Sequence, residues 1–265
     1  MYVETAPPVR AARWFPYGPP RPGHGIPLFC LPYAGGGARM FREWTRRPEA
    51  GAFQPVPVQL PGREDRYAEP PAVRMPELVA ELAREIAPFT DGGYALFGHS
   101  MGATLAYELA GALVAAGAAP PPVTLFVSAA CAPHLRRIRP DMHLLPEEEF
   151  AATIRRLGGT PSGLLDAPGF AAHYLPLLRA DLELVASHQR TVPDRVLPRI
   201  SAFGGAEDRA VEPAAVLEWR RYAAQRFHSR ILPGAHFFLH DQRTAVLDAI
   251  RRDLGDATEP DGGTC

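Results

Sequence analysis

Lysine is absent from this 265-residue chain: all 28 basic residues are arginine. A Walker-type phosphate loop, a Schiff-base enzyme and a Ser-Lys dyad each need a lysine amine, so all three are excluded. Cysteine is scarce. Cys30, Cys131 and Cys265 are odd in number and far apart, and no C-x-x-C pair suggests zinc or redox chemistry, which fits a reducing cytoplasm. No run of 18 or more apolar residues occurs, and Glu4, Pro7 and Pro8 interrupt the stretch where a signal peptide would need an apolar core. A membrane-spanning or exported protein is therefore not expected. Net charge is nearly absent too: 28 basic against 29 acidic residues give −1, with no field to steer nucleic acid or an anionic membrane.

What remains is an ordinary soluble composition, 46% hydrophobic and 22% charged, on a chain long enough for one α/β domain. Residues 1–24 are rich in Pro, Gly and Arg and read as an extended arm, anchored by Trp14, Phe15 and Tyr17. Short apolar strands are predicted at Ile26 to Leu31, Phe53 to Leu60, Tyr94 to Phe97, Val123 to Ala129, Ile200 to Phe203 and Arg230 to Leu232, with helices from Pro76 and over Ala103 to Ala116. This alternation predicts a mainly parallel sheet with helices on both faces. The core is expected over 25–132 and 193–254. Between them, 133–192 has no convincing strand and two or three amphipathic helices, among them Pro146 to Leu157 and Phe170 to His188, which read as an inserted helical lid. Gly255 to Cys265 is polar and glycine-rich and is assigned to a disordered tail.

Gly98-His99-Ser100-Met101-Gly102 lies between a predicted strand and a predicted helix. That is the context of a nucleophile elbow, where flanking glycines permit a strained turn that lifts the serine hydroxyl above the sheet. The helix behind it aims backbone N–H groups at a developing oxyanion, Met101 among them. Asp208 follows the strand Ile200 to Phe203 and is the candidate acid, with Glu207 as rival. His236 follows the last strand and is the candidate base. The order Ser, Asp, His is that of the α/β-hydrolase fold. Gly35 to Gly37 end the first strand and are expected to form the loop with the second oxyanion N–H, from Ala34 or from Tyr33. His236 and His240 are four apart, but no H-E-x-x-H pattern or third ligand accompanies them, so no metal site is expected. The other histidines read as surface or packing residues, with His99 shaping the elbow.

Several segments in order from about residue 14 to 254 resemble the type II thioesterases of polyketide synthases and nonribosomal peptide synthetases. They are Leu31-Pro32-Tyr33-Ala34-Gly35-Gly36, Gln59-Leu60-Pro61-Gly62-Arg63-Glu64, Phe97 to Ala103, Leu178-Arg179-Ala180-Asp181-Leu182, Gly204 to Asp208 and Pro233 to Phe238. The resemblance implies hydrolysis of acyl groups from the 4′-phosphopantetheine arm of acyl- or peptidyl-carrier protein domains. It implies no cofactor of the enzyme's own, and a triad of Ser100, Asp208 and His236 with Met101 and Ala34 as backbone donors. Asp181 falls in the insert and is read first as structural. The alternatives are a general carboxylesterase or chain-releasing thioesterase of the same fold, and a non-catalytic binding module.

Overall fold

A computed structural model describes residues 9–46, 51–135, 141–157, 168–187 and 195–258. The first eight residues of the predicted arm, residues 259–265 of the predicted tail, His188 and the predicted lid boundary near Pro193 lie outside the described residues. Six strands form one sheet in the order β2-β1-β3-β4-β5-β6, and every neighbouring pair is parallel. They are β1 (Ile26–Leu31), β2 (Phe53–Pro57), β3 (Ala95–His99), β4 (Thr124–Ser128), β5 (Leu197–Gly205) and β6 (Ala223–Leu232).

The inner strands are apolar throughout because both faces of the sheet are covered. Side chains alternate across a strand. On one face Phe29, Leu31, Leu96, Leu125, Val127 and Ile200 join a core with α2 (Met75–Ile86) and α3 (Met101–Ala115). On the other face Leu28, Cys30, Phe97, Phe126 and Phe203 pack with Val246, Leu247 and Ile250 of α7 (Arg243–Thr258), which follows the short α6 (Pro213–Leu217) in the chain. Phe97 is fully buried there, edge-on to Trp44 at a ring separation of 4.9 Å. Truncating such a residue to alanine costs about 3–5 kcal/mol.

β6 spans ten residues where three were expected. It is the sheet edge, so its sequence (Ala-Ala-Gln-Arg-Phe-His-Ser-Arg-Ile-Leu) carries polar groups that hide the strand pattern. Asp253 on α7 holds it in place: its carboxylate accepts two bonds from Arg230, at 2.7 and 2.6 Å, and one from Ser201 of β5 at 2.6 Å.

Three further expectations are corrected. The arm is not extended throughout, since the helix former-rich run Val9–Trp14 makes a short helix, α1, anchored by buried Trp14. Phe15 is buried with it, whereas Tyr17 is exposed. The predicted tail begins too early, because α7 continues to Thr258 beyond its last buried apolar contact, Leu254.

Residues 141–187, as far as they are described, contain α4 (Glu147–Leu157) and α5 (Pro168–Ala186) and no strand. These helices share a small core of Phe150, Ile154, Leu175 and Leu178, against which Ala34 also packs. Arg179 of α5 donates to the carbonyls of His143 and Leu145 and lies over the Phe150 ring. Among the described residues no helix is long and apolar enough to cross a membrane.

Candidate active site

The C-terminal ends of β3, β5 and β6 deliver three side chains to one point. β3 runs without a spacer into α3, and Ser100 stands between them with φ 54° and ψ −114°. L-residues rarely adopt that conformation, which here has a cause on either side. A Cβ on Gly98 would lie 2.0 Å from the carbonyl oxygen of Gly102, and one on Gly102 would lie 2.2 Å from that of Leu31. Only hydrogen fits at both positions. The Ser100 N–H is meanwhile taken by the carbonyl of Ser128 at 2.8 Å, which ties the turn to β4.

The loops after β5 and β6 are bonded to each other. Ala206 N–H donates to Leu232 and Glu207 N–H to Gly234, at 2.8 and 3.0 Å. The approach brings Asp208 beneath His236. Asp208 Oδ2 lies 2.7 Å from His236 Nδ1, and His236 Nε2 lies 3.0 Å from Ser100 Oγ. A carboxylate only accepts, so Nδ1 carries the proton and Nε2 is left to accept from the serine hydroxyl. The second oxygen, Oδ1, accepts the N–H groups of Ala210 and Val211 at 2.8 and 3.0 Å. Burial pushes the Asp208 carboxyl up, but the His236 hydrogen bond and charge, with the two backbone donors, outweigh it and hold the group below its ordinary value. Glu207, the rival acid, is exposed.

His99, on the strand leading to Ser100, is fully buried. Its Nε2 lies 2.9 Å from the His236 carbonyl oxygen and its Nδ1 lies 2.9 Å from Ser128 Oγ. The carbonyl can only accept, so Nε2 donates and Nδ1 accepts from the Ser128 hydroxyl. Burial, and after it the nearby His236, push this imidazole well below the ordinary histidine range, so it stays neutral. His99 thus links the strand that leads to Ser100 to the backbone of His236. The sequence placed His99 correctly at the elbow but gave no sign of Ser128, whose only signal is a hydroxyl at a strand's C-terminal end.

Ser100 opens onto a cavity of about 740 Å³. Ala34, Met101, Ala129 and Ala130 line it near the serine, Leu182 and Val185 of α5 form a further wall, and Arg209 and Glu212 supply charge. Met101 is the first residue of α3, where helix geometry leaves the N–H without an intrahelical acceptor. Ala34 therefore sits on the same chamber as Ser100 and Met101. Tyr33 turns elsewhere: its ring packs edge-on to Phe237 and its hydroxyl lies 3.2 Å from His240 Nε2. His240 is engaged there while His236 faces Asp208 and Ser100, so the two do not form a ligand pair. Among the described residues the side chains spaced to share an ion are His228, Asp253 and Asp256, on β6 and α7, where Asp253 already holds Arg230.

Sequence reading gave too little weight to Asp181 and Arg63. Asp181 of α5 and Arg63 of the loop after β2 form a buried two-bond ion pair, at 2.7 and 2.8 Å, directly beneath the glycine loop. Both stood in quoted segments, Leu178 to Leu182 and Gln59 to Glu64, and a charged residue inside each apolar or turn segment was the available signal.

A family model described as "Thioesterase domain" matches residues 26–254. The chain is 36% identical over 243 residues to the gramicidin S biosynthesis protein GrsT of Aneurinibacillus migulanus, covering 91% of this chain and 94% of that one. Among solved structures, the type II thioesterase BorB from the borrelidin biosynthetic cluster matches at 34% identity with a TM-score of 0.78, covering 90% of this chain and 96% of BorB. The RedJ thioesterase from the prodiginine pathway of Streptomyces coelicolor matches at 37% identity with a TM-score of 0.76, covering 91% and 98%.

Proposed function

The chain belongs to the thioesterase family, and from that premise we propose that it is an editing type II thioesterase, with Ser100 as nucleophile, His236 as base and Asp208 as orienting acid. It clears acyl groups from the 4′-phosphopantetheine arm of acyl- or peptidyl-carrier protein domains in polyketide or nonribosomal peptide biosynthesis. The observation that carries the reading is the line of hydrogen bonds from Asp208 through His236 to Ser100, ending at a chamber of about 740 Å³ with mainly apolar walls.

As Ser100 Oγ attacks the thioester carbonyl carbon, its proton passes to His236 Nε2. The oxyanion is held by the N–H groups of Met101 and Ala34. Collapse breaks the C–S bond, the pantetheine thiolate takes the proton from His236, and an acyl-serine remains. Ser100 is half-buried, so water reaches the ester. His236 deprotonates that water, the second tetrahedral intermediate collapses, and a free acid leaves with Ser100 reprotonated. Throughout, Asp208 keeps Nδ1 protonated and stabilises the imidazolium. Nucleophile, base and electrophilic donors are all groups of the chain, so the proposed steps need no metal or redox cofactor. Residues 133–192 act as the lid of the acyl chamber, with Leu182 and Val185 touching the acyl chain.

Intact-mass measurement of acetyl-, propionyl- and longer acyl-carrier proteins, incubated with the wild type and with Ser100→Ala, tests this. Loss of the acyl mass with the wild type alone is expected. Intact acyl carriers together with brisk turnover of simple oxygen esters would replace this reading with a carboxylesterase.

A further inference from the structure

Two elements distant in sequence meet under the loop that carries Ala34. Asp181, fully buried on α5, accepts the N–H of Gly35 with Oδ2 at 2.7 Å. Arg63, nearly as buried, donates through Nη1 to that same Oδ2 at 2.8 Å and to the carbonyl of Gly36 at 3.1 Å, and through Nη2 to Oδ1 at 2.7 Å. The Arg63 Nε–H donates to the carbonyl of Pro61 at 3.2 Å. Beyond the glycines, the N–H of Ala38 donates to Gln59 Oε1 at 3.0 Å, and Gln59 Nε2 returns to the carbonyl of Arg63 at 3.0 Å. A turn bond from the Gly36 N–H to the Tyr33 carbonyl at 2.9 Å closes on the peptide that carries the Ala34 N–H, and buried side chains hold that turn from outside.

We infer that the Arg63–Asp181 pair is a positioning device for the proposed reaction: it sets the direction of the Ala34 N–H by holding the adjoining peptide groups of Gly35 and Gly36. A buried ion pair is a poor source of net stability, because desolvation of both charges offsets their attraction. Its value here lies in geometry. An oxyanion donor acts only when it is aimed before the charge develops, and a turn followed through Gly35, Gly36 and Gly37 has no side chains there to keep it from shifting as a unit. Asp181 also lies next to Leu182, which lines the acyl chamber, so one turn of α5 both walls the chamber and fixes the loop.

The inference rests on the thioesterase reading, and its test separates the two. Turnover present in the wild type and lost in Ser100→Ala upholds that reading whatever the pair does. Removing one partner strands a buried charge and endangers folding, so the informative variants are neutral doubles. Arg63→Met/Asp181→Leu replaces the pair with apolar groups and removes the acceptor of the Gly35 N–H. Arg63→Met/Asp181→Asn restores an amide oxygen at that place. Active-site titration with a fluorophosphonate sets the concentration of competent enzyme in each case. Per titrated site, the Leu double is expected to lose about 10²-fold in kcat, the scale of one oxyanion donor. It is expected to lose a similar factor in affinity for an acyl trifluoromethyl ketone, which forms the oxyanion, while KM stays within about threefold. The Asn double is expected to recover about tenfold of both losses. Wild-type kcat per site in the Leu double, equal losses in the two doubles, or a loss confined to KM or to the titre would overturn the inference. If neither double folds, Asp181→Asn alone decides it: a fall of about tenfold in kcat per site at unchanged KM supports it, and an unchanged kcat refutes it.

Discussion

The elbow around Ser100 and the helical insert around Asp181 reach the same chamber from opposite sides, and they are held by different means. At the elbow, position is enforced by backbone sterics: two glycines leave room for nothing but hydrogen, and the strand ends in a helix with no slack. The insert has a small core of Phe150, Ile154, Leu175 and Leu178, sends Leu184 and Val185 into the main core, and meets the glycine loop through side-chain contacts that include the buried Arg63–Asp181 pair. Steric enforcement cannot be relaxed by degrees, whereas a side-chain contact can be weakened, exchanged or compensated. The molecule puts the Ser100 turn on the first kind of support and the chamber wall of Leu182 and Val185 on the second.

The sharpest way to break that contrast is to attack the elbow. Ser100→Ala or His236→Ala should reduce carrier-thioester turnover by about 10⁴-fold or more while leaving thermal unfolding within a degree or two, because neither side chain packs a core. Conversely, Gly102→Ala should destroy the fold locally. Its new Cβ meets the Leu31 carbonyl at 2.2 Å, in backbone that cannot retreat, and a destabilisation of about 3 kcal/mol or more is expected from denaturant midpoints. An alanine tolerated at that position, with activity intact, would remove the steric account of the elbow.

A smaller effect probes the link between the elbow and the base. His99→Phe leaves the buried Ser128 hydroxyl and the His236 carbonyl without their partner, a loss of about 1–3 kcal/mol, and kcat should fall more than KM rises. Its pH signature is distinct. The His99 imidazole is depressed in the folded state, so its contribution is fully present above the ordinary histidine value and is lost as pH falls below it, when the unfolded chain binds the extra proton. The wild type should therefore lose stability between about pH 7 and 5 with a slope of at most about 1.4 kcal/mol per pH unit from this group, and the Phe variant should lack that slope. Asp208, also depressed, acts lower: its contribution is present above the ordinary aspartate value and disappears as pH falls through the folded one. Asp208→Asn should flatten the acid limb below about pH 4 and leave the His99 region unchanged.

The smallest expected effect belongs to the insert wall. Leu182→Ala enlarges the chamber by a few methyl groups. It should shift the ranking of acyl lengths by about 10-fold, the low end of what one methylene is worth in a close pocket, with the elbow-dependent steps untouched. A change as large as that of Ser100→Ala would show that the two regions are not separable in this way.

How much of this was legible in the sequence follows the same division. The inner strands and the elbow could be read because backbone constraints leave compositional marks: unbroken apolar runs, and glycines at fixed spacing around Ser100. Asp208 over Glu207 could be argued from position, and the structure separates them by burial. β6 was largely hidden, since an edge strand held by Arg230 and Asp253 has no apolar pattern to show. The extra turn of α7 and the short helix α1 were hidden for a related reason: both depend on one or two anchors, Leu254 and Trp14, and not on a periodic face. Arg63 and Asp181 were visible as residues but not as a pair, because nothing local says that a charge at 63 will be neutralised by one at 181.

That long-range pairing bears on recombination. Inserts between thioesterases of this kind look exchangeable as cassettes, because the chain leaves and re-enters the sheet at two points that a designer can cut. Here the functional joint lies elsewhere, in a carboxylate of the insert that closes on a guanidinium of the host. A chimera that imports an insert lacking Asp181, without a matching change at Arg63, would inherit a buried unpaired cation beneath its glycine loop, however well its two splice points were chosen.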